Sequence, residues 1–218
     1  MPEAVIFDWD GTLADTRLAI VKSFQKALSD LKLEVSNEFI ERRIGIGADE
    51  TFREILRASK LEPDEKTVRH LIVEKNRAEI ELSNKVKLFA GASELLEALR
   101  GKVKLALASM NSRIIIDHLT KAKKVEGFFD VVLTADEVQH SKPNPEIFLK
   151  SAFKLGVKPE KCVVVEDSIF GVRAAKAAKM DCVAVVTGVY SREELERADP
   201  DLIAGSLKDN KILSFILR

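Results

Sequence analysis

The sequence predicts an α/β protein, in which a parallel β-sheet is covered by helices on both faces and an all-helical segment follows the first strand. From Gly91 onward, short β-branched runs alternate with helical patterns. Residues 15–87 instead carry apolar residues at helical spacing, with no strand-like run between them. Since parallel strands need long crossovers, which helices usually supply, the alternation indicates a parallel sheet.

The elements can be placed along the chain in order. An apolar run predicts a first strand at 4–7, and apolar spacing predicts helices at 18–31, 39–44, 51–56 and 68–82. The alternating part predicts strands at 103–108, 131–134, 162–165 and 182–186, separated by helices at 113–122, 146–155 and 171–179. The first strand needs the later ones as partners. We therefore expect a discontinuous α/β core, residues 1–14 and 88–218, interrupted by a helical domain at residues 15–87, called the helical segment below.

Local signals support several of these helix ends. Gly156 follows a helical stretch, where glycine often ends a helix in the left-handed conformation. Pro145 after Asn144 is typical of the first helical position behind an N-cap. Ser191 and Glu194 have the spacing of a capping box, which predicts a further helix there.

Composition places the chain among globular proteins and excludes disordered and membrane-embedded classes. Of 218 residues, 46% are hydrophobic and 32% charged, and 35 Lys and Arg balance 35 Asp and Glu. Without net positive charge the chain lacks the electrostatic footprint of a nucleic-acid or anionic-membrane binder, so we expect neither partner. The N-terminus shows no signal-peptide pattern, and Cys162 and Cys182 lie in valine-rich segments typical of core packing. A cytoplasmic protein is expected.

Two aspartates follow the first predicted strand. The apolar run ends in Asp8 and Asp10, which are followed by Gly11 and Thr12. Ligands of open α/β sheets bind beyond the carboxyl ends of the strands, so these carboxylates lie where a site is expected. A turn in which aspartate and glycine serve only the backbone is the less favoured interpretation. Trp9, between the two acids, is expected to pack near the site entrance or under the sheet.

Polar residues also follow three later predicted strands. Ser109 and Asn111 come after the strand at 103–108, where a hydroxyl and the start of the next helix could hold phosphate oxygens. Taken alone, Ser109 would be a helix N-cap and Lys142, before another helix start, a solvated lysine. Glu166 and Asp167 follow the strand at 162–165. Because all these residues lie at corresponding strand ends, we expect them to share one site.

Four carboxylates at one site would raise one another's pKa unless a cation lay among them. They are Asp8, Asp10, Glu166 and Asp167. Oxygen ligands with retained waters suit Mg²⁺, which takes one or two carboxylates plus substrate phosphate. The chain offers no Cys/His cluster of the kind that zinc prefers. The pattern therefore predicts a site for Mg²⁺ and phosphate.

These motifs resemble those of the haloacid dehalogenase-like (HAD) superfamily of aspartate-nucleophile phosphohydrolases, and the resemblance covers the whole chain. The four family motifs have counterparts here in the family's order: Asp8-x-Asp10-Gly-Thr, Ser109, Lys142 and Glu166-Asp167. The helical segment resembles the C1 cap of the phosphoglycolate phosphatase and β-phosphoglucomutase-like branch. The resemblance implies a Rossmann-like sheet, the HAD fold, with residues 15–87 as a mobile lid.

The resemblance also implies a role for each motif residue. Asp8 would attack the phosphoryl group and form an aspartyl-phosphate, which splits one hard step into two. Asp10 would protonate the leaving oxygen and later deprotonate the hydrolytic water. Ser109 and Lys142 would clamp the transferring oxygens. Mg²⁺ would be held by Asp8, the Asp10 main-chain carbonyl and Asp167, with Glu166 in support.

The expected function is hydrolysis of a small phosphomonoester, phosphoglycolate-like or a sugar phosphate, by a Mg²⁺-dependent, monomeric phosphatase. Asp10 argues against carbon–halogen cleavage, because the dehalogenases of the superfamily lack an acid there. The main alternative is a sugar phosphomutase. Mutases of this branch hold a second phosphate with a cap arginine after a glycine, whereas no basic residue lies between Gly45 and Glu50. A non-catalytic, receiver-like module phosphorylated on aspartate is less favoured, because such modules are much shorter and lack the helical insertion.

Substrate choice is expected to depend on side chains of the helical segment. Arg42, Arg43 and Arg53 could contact a carboxylate or phosphate of the substrate. Each could equally lie on a solvated helix face. The sequence leaves both interpretations open.

Overall fold

Strands and helices alternate through most of the chain in the computed structural model, which describes all 218 residues. The strands are β1 (Ala4–Phe7), β2 (Ala14–Asp15), β3 (Lys87–Leu88), β4 (Lys104–Ala108), β5 (Val131–Leu133), β6 (Cys162–Glu166), β7 (Asp181–Val185) and β8 (Leu202–Ala204). The α-helices are α1 (Arg17–Ser29), α2 (Asn37–Glu41), α3 (Ala48–Ala58), α4 (Glu65–Glu81), α5 (Ala92–Leu99), α6 (Arg113–Ala122), α7 (Glu146–Leu155), α8 (Ile169–Ala177), α9 (Arg192–Glu196) and α10 (Asn210–Ile216). No helix is both long and apolar enough to cross a bilayer.

Six strands form one parallel sheet in the order β5-β4-β1-β6-β7-β8. The N-terminal strand β1 lies near its centre, and Phe7 is in register with Leu107 of β4 and Val165 of β6. Since every pairing is parallel, the carboxyl ends of all six strands lie at one edge. The predicted α/β class with a parallel sheet is confirmed.

Alternate side chains of the sheet enter two separate apolar clusters. Val5 and Phe7 of β1 pack with residues of α5, α6 and α10 on one face. Ala4 and Ile6 pack with residues of α7, α8 and α9 on the other. Because both faces are covered, the strands read as continuous apolar runs, as the sequence of β6 does. Burial on both sides holds the strand ends in fixed positions.

Helices α1–α4 have an apolar cluster of their own, formed by residues between Ile20 and Leu71. The chain leaves and rejoins the sheet domain through an antiparallel ribbon, in which Ala14 and Asp15 of β2 pair with Leu88 and Lys87 of β3. This ribbon lies at the predicted limits of the helical segment. The division into two domains itself stays a prediction.

Most predicted elements of the sheet domain occur where expected. Helices α6 and α7 span the predicted residues, β4 to β7 lie within one residue of their predicted bounds, and the Ser191–Glu194 capping box is present. Gly156 ends α7 in the left-handed conformation, at φ 66°. Pro145, directly before the first residue assigned to α7, has helical backbone angles of φ −74° and ψ −2°. Asn144 Oδ1 accepts the N–H of Glu146 at 3.0 Å, as an N-cap side chain does, which agrees with the predicted start of this helix.

Candidate active site

The carboxyl edge of the sheet brings together the polar residues that follow four neighbouring strands. Asp8 follows β1, Ser109 follows β4, and Asp167 follows β6. Lys142 reaches the same place from the long loop between β5 and α7. All four residues are buried, with at most 4% of their surface exposed. The parallel topology therefore assembles the predicted motif residues from distant parts of the chain.

Lys142 lies at the centre of this cluster. Its Nζ donates to Asp8 Oδ1 at 2.7 Å, to Glu166 Oε1 at 2.6 Å and to the Ala108 carbonyl at 3.4 Å. Burial alone would lower the pKa of this ammonium group, but attraction to Asp8 and Glu166 outweighs it and raises the pKa above its ordinary value. Lys142 therefore remains charged at neutral pH, and it is not the solvated lysine that its sequence context alone would suggest.

Glu166 positions the cluster through its own hydrogen bonds. Its Oε1 accepts from Lys142, while Oε2 accepts the backbone N–H groups of Asp167 and Ser168 and the Ser168 hydroxyl, each at 3.0 Å. The same hydroxyl caps α8 through the Gly171 N–H. Both Glu166 oxygens thus accept hydrogen bonds from the protein, one at Oε1 and three at Oε2. Its carboxylate holds Lys142 and the start of α8 in place.

Asp8, Glu166 and Asp167 could hold a cation, since one carboxylate oxygen of each lies within 4.8 Å of the others. Burial first, and then repulsion from Glu166, raise the pKa values of Asp8 and Asp167 well above the usual range, although attraction to Lys142 opposes the rise at both. One lysine cannot balance three carboxylates. Excess negative charge and oxygen-only donors fit a hard divalent cation such as Mg²⁺.

Backbone also closes tightly around Asp167. A Cβ at Gly11 or Gly188 would overlap its Oδ2 atom, so only glycine fits at these two positions. The hydroxyl of Thr12 donates to Asp167 Oδ1 at 2.9 Å. Thr12 belongs to the predicted Asp-x-Asp-Gly-Thr string, but sequence reasoning gave no role to it or to Gly188. A carboxylate held this closely keeps its orientation at the sheet edge.

Asp10 does not belong to the group of three carboxylates that could hold a cation. Its Oδ2 accepts from the Ser109 hydroxyl at 3.1 Å, and its buried Oδ1 has no hydrogen-bond partner. Burial, followed by repulsion from Glu79, raises the pKa of Asp10 to about 6, and attraction to Lys75 opposes that rise. A carboxyl group with this pKa exchanges a proton near neutral pH, as a general acid and base requires.

Ser109 and Asn111 connect this acid to the helical segment. The Ser109 hydroxyl accepts the Asn111 N–H at 3.0 Å. Helix α6 is capped by Ser112, so the interpretation of Ser109 as its N-cap was wrong. The Asn111 side chain accepts from Lys75 Nζ at 2.7 Å and donates to Glu79 Oε1 at 2.9 Å. Its predicted contact with phosphate stays a prediction.

Lys75 and Glu79 are site residues that sequence reasoning missed. They form an ion pair at 2.5 Å on α4, with side chains 3% and 0% exposed. A signal was present in the sequence, because both fall on the apolar stripe that Val68, Leu71 and Ala78 define. Charged residues on a buried stripe need partners, and here the partner comes from the sheet domain.

A second contact joins the helical segment to the sheet domain. Arg42 donates to both Glu194 oxygens, at 2.5 and 3.1 Å, and stacks over the Tyr190 ring at 4.3 Å. The Tyr190 hydroxyl donates to the Arg42 carbonyl at 2.6 Å. The hydrogen bonds from Arg42 lower the pKa of Glu194 to about 2. Arg42 is therefore engaged by the protein.

Trp9 does not line the site. Its side chain is fully buried in the apolar cluster that also contains Val5 and Phe7. Of the two placements expected for it, the structure supports packing under the sheet. Trp9 thus anchors the loop of Asp8 and Asp10 to the apolar cluster on one face of the sheet.

Comparison with known proteins identifies the family. The sequence profile of the haloacid dehalogenase-like hydrolases matches residues 5–185, and the chain belongs to this family. The chain is 35% identical over 182 residues to the phosphorylated carbohydrates phosphatase of Thermotoga maritima, an alignment that covers 82% of each protein. It is 32% identical to part of SUPPRESSOR OF QUENCHING 1 of Arabidopsis thaliana, covering 97% of this chain but only 20% of that protein.

Solved structures agree with this assignment. The structure of a hydrolase from Pseudomonas syringae superposes with a TM-score of 0.90 at 28% sequence identity, covering 99% of this chain and all of the other. The predicted fold and the predicted family are both confirmed.

Proposed function

We propose that this chain is a Mg²⁺-dependent phosphatase that hydrolyses a small phosphomonoester through an aspartyl-phosphate on Asp8. The observation that carries the proposal is the buried contact of Asp8 with Lys142 beside Asp167. A buried carboxylate next to one lysine and a cation site is suited to attack on a phosphate, whose negative charge would otherwise repel it. The phosphatase name of the Thermotoga maritima relative also supports it.

The proposed reaction has two steps. In the first, an Asp8 carboxylate oxygen forms a bond to phosphorus as the bond to the leaving oxygen breaks, and Asp10 gives that oxygen its proton. In the second, Asp10 takes a proton from water as the water oxygen attacks phosphorus and releases Asp8. The products are an alcohol and inorganic phosphate. Throughout, Lys142 and Ser109 hold the non-bridging oxygens of the phosphoryl group.

Mg²⁺ would be held by the Asp8 and Asp167 carboxylates and the Asp10 carbonyl, with Glu166 in support, and would supply positive charge to the phosphoryl group. Glu166 contributes indirectly, because its oxygens are engaged by Lys142 and by the start of α8.

The helical segment, residues 15–87, is proposed as a cap over the α/β core formed by residues 1–14 and 88–218. Its contacts with the core include Lys75 to Asn111, made from α4, and Arg42 to Glu194, made from the end of α2. Closure of the cap would exclude water during the first step. One chain supplies every element of the site, and we propose that it acts as a cytoplasmic monomer.

The proposal is tested by measuring release of inorganic phosphate from a panel of phosphorylated metabolites with Mg²⁺ present. Asp8→Asn should lower turnover by at least about a thousandfold. Asp117→Asn, an exposed change on α6, serves as the control and should retain activity. Equal rates for wild type and Asp8→Asn, or no turnover in the wild type, would contradict the proposal.

Two further measurements separate the alternatives. Asp10→Asn should bind Mg²⁺ almost normally by calorimetry but fail to turn over; loss of metal binding alone would contradict the acid–base role.

With a hexose 1-phosphate, stoichiometric phosphate release supports hydrolysis, whereas isomerised sugar phosphate without release would identify a mutase.

A further inference from the structure

The cavity beside Asp10 is where the leaving group begins if the proposed function holds, because Asp10 has to reach the leaving oxygen. This cavity of about 30 Å³ has room for the first atoms of a leaving group and not for a whole sugar. It lies between the helical segment and the sheet edge, and its walls include Ile20, Phe24 and Met110. Its ionisable lining side chains are Asp10, Arg43 and Lys75. Their charges decide which leaving groups can be buried here.

Both positively charged side chains that line this cavity are already paired with carboxylates of the protein. Arg43 is paired with Glu54 through Nε, donates to the Phe39 carbonyl at 3.2 Å and stacks over the Phe39 ring. Lys75 is paired with the fully buried Glu79. The lining therefore carries no surplus positive charge to balance a second anion on the substrate.

The charges that line the neighbouring cavity also disfavour a second anion on the substrate. This cavity shares Gly47, Ala48 and Met110 with the first, has a volume of about 350 Å³, and is where a longer leaving group would extend. Its charged lining includes Asp49 and Asp136. Helix α3 begins here, and a helix N-terminus ordinarily favours anions.

In this chain the first turn of α3 already holds two acids of its own, Asp49 and Glu50. Arg53, which pairs with Asp49 at 2.7 Å and Glu65 at 2.5 Å, lies outside both cavities. The three arginines named from the sequence are thus all paired with protein carboxylates.

From this pairing we infer that the enzyme selects phosphomonoesters whose leaving group is uncharged, such as polyol or sugar monophosphates, and rejects phosphorylated carboxylates and bisphosphates. The inference rests on the proposed function and narrows its substrate class. A second anion would be buried beside Asp10 and Glu79 with no free counterion, which is costly. Hydroxyl groups of the leaving group can instead donate to Asp10 Oδ1, which has no partner within the protein, and carbon atoms of the leaving group contact the apolar walls.

Two esters that differ in one group test the inference. sn-Glycerol 3-phosphate and 3-phosphoglycerate have the same length and differ in a hydroxymethyl against a carboxylate. We expect kcat/KM to favour glycerol 3-phosphate by on the order of tenfold or more. Inhibition constants of both esters against p-nitrophenyl phosphate hydrolysis give the same comparison if either ester turns over slowly. Equal values, or preference for 3-phosphoglycerate, would overturn the inference.

A variant tests whether the charge balance of the cavity, and not its shape, sets this preference. Glu54→Gln leaves Arg43 without its counterion. It should raise kcat/KM for 3-phosphoglycerate and so lower the ratio of kcat/KM for glycerol 3-phosphate to that for 3-phosphoglycerate. Glu65→Gln, which removes an acid from the outer pair with Arg53, is the matched control and should leave the ratio unchanged. An unchanged ratio in Glu54→Gln that still hydrolyses p-nitrophenyl phosphate contradicts the inference alone. Failure of the wild type to hydrolyse p-nitrophenyl phosphate contradicts the proposed function itself.

Discussion

Replacing Lys75 by methionine should destabilise the protein by leaving Glu79 charged and buried. The Lys75 Nζ lies 2.5 Å from Glu79 Oε2, and neither side chain is more than 3% exposed. Methionine keeps the length and much of the apolar packing of the lysine stem, so the change isolates the loss of charge. The prediction concerns folding, and it holds with or without a bound metal.

The magnitude follows from what Glu79 keeps after the change. Removing one partner of a buried ion pair costs about 3–5 kcal/mol. Glu79 Oε1 retains the Asn111 hydrogen bond at 2.9 Å, whereas Oε2 has no hydrogen-bond partner besides the lost lysine contact. We therefore expect a loss near the lower limit, about 3 kcal/mol. The double variant Lys75→Met/Glu79→Gln removes both charges and should lie within about 1.5 kcal/mol of wild type.

Urea unfolding at neutral pH in EDTA measures these differences, with the slope of each transition checked for constancy. Lys26→Met is the matched control, because the Lys26–Glu81 pair at 2.6 Å has side chains 55% and 56% exposed. It should cost less than about 1 kcal/mol. The reasoning is refuted if Lys75→Met costs no more than this control, or if the double variant loses as much as the two single variants together.

Two further predictions concern other parts of the structure. Gly188→Ala should weaken Mg²⁺ binding by on the order of tenfold or more, because its Cβ would overlap an oxygen of Asp167; Gly205→Ala, with open space around it, should bind normally in the same calorimetric titration. Burial raises the pKa of the Cys162 thiol to about 11 and that of Cys182 well above its usual range. Neither thiol should react with Ellman's reagent at pH 8 before unfolding, and rapid reaction of the native protein would show that they are not core residues.

The site residues on the sheet domain could be predicted because each has a local signal and one topological rule joins them. Asp8, Ser109 and Asp167 each follow an apolar strand run, and parallel pairing places such positions at one edge. Lys142 has a weak signal of its own and was placed in the site because it also follows a predicted strand; the family resemblance then gave it a role. Its central place depends on a loop whose path no propensity describes.

The missed residues have partners far away in the sequence. Lys75 and Glu79 lie on a helix whose pattern is otherwise ordinary, and Asn111, which joins them, belongs to the other part of the molecule. Pairing across two packed parts depends on how these parts are oriented, which periodicity does not encode. Strands β2, β3 and β8 were missed for a simpler reason. Each has only two or three residues, and none has the two adjacent valines that mark the equally short β5 as a strand.

The central position of β1 also governs when the site can exist during synthesis. Its two neighbours are β4 and β6, so the first strand made has no sheet partner until residue 104 has been added, and its second side stays open until residue 162. Over that interval the apolar cluster of α1–α4, complete by Leu71, can already form on the ribosome. Asp8 can contact Lys142 and lie beside Asp167 only after about three quarters of the chain has been synthesised. A truncated or stalled chain therefore carries Asp8, the proposed nucleophile, without the lysine and the second carboxylate that surround it in the folded protein.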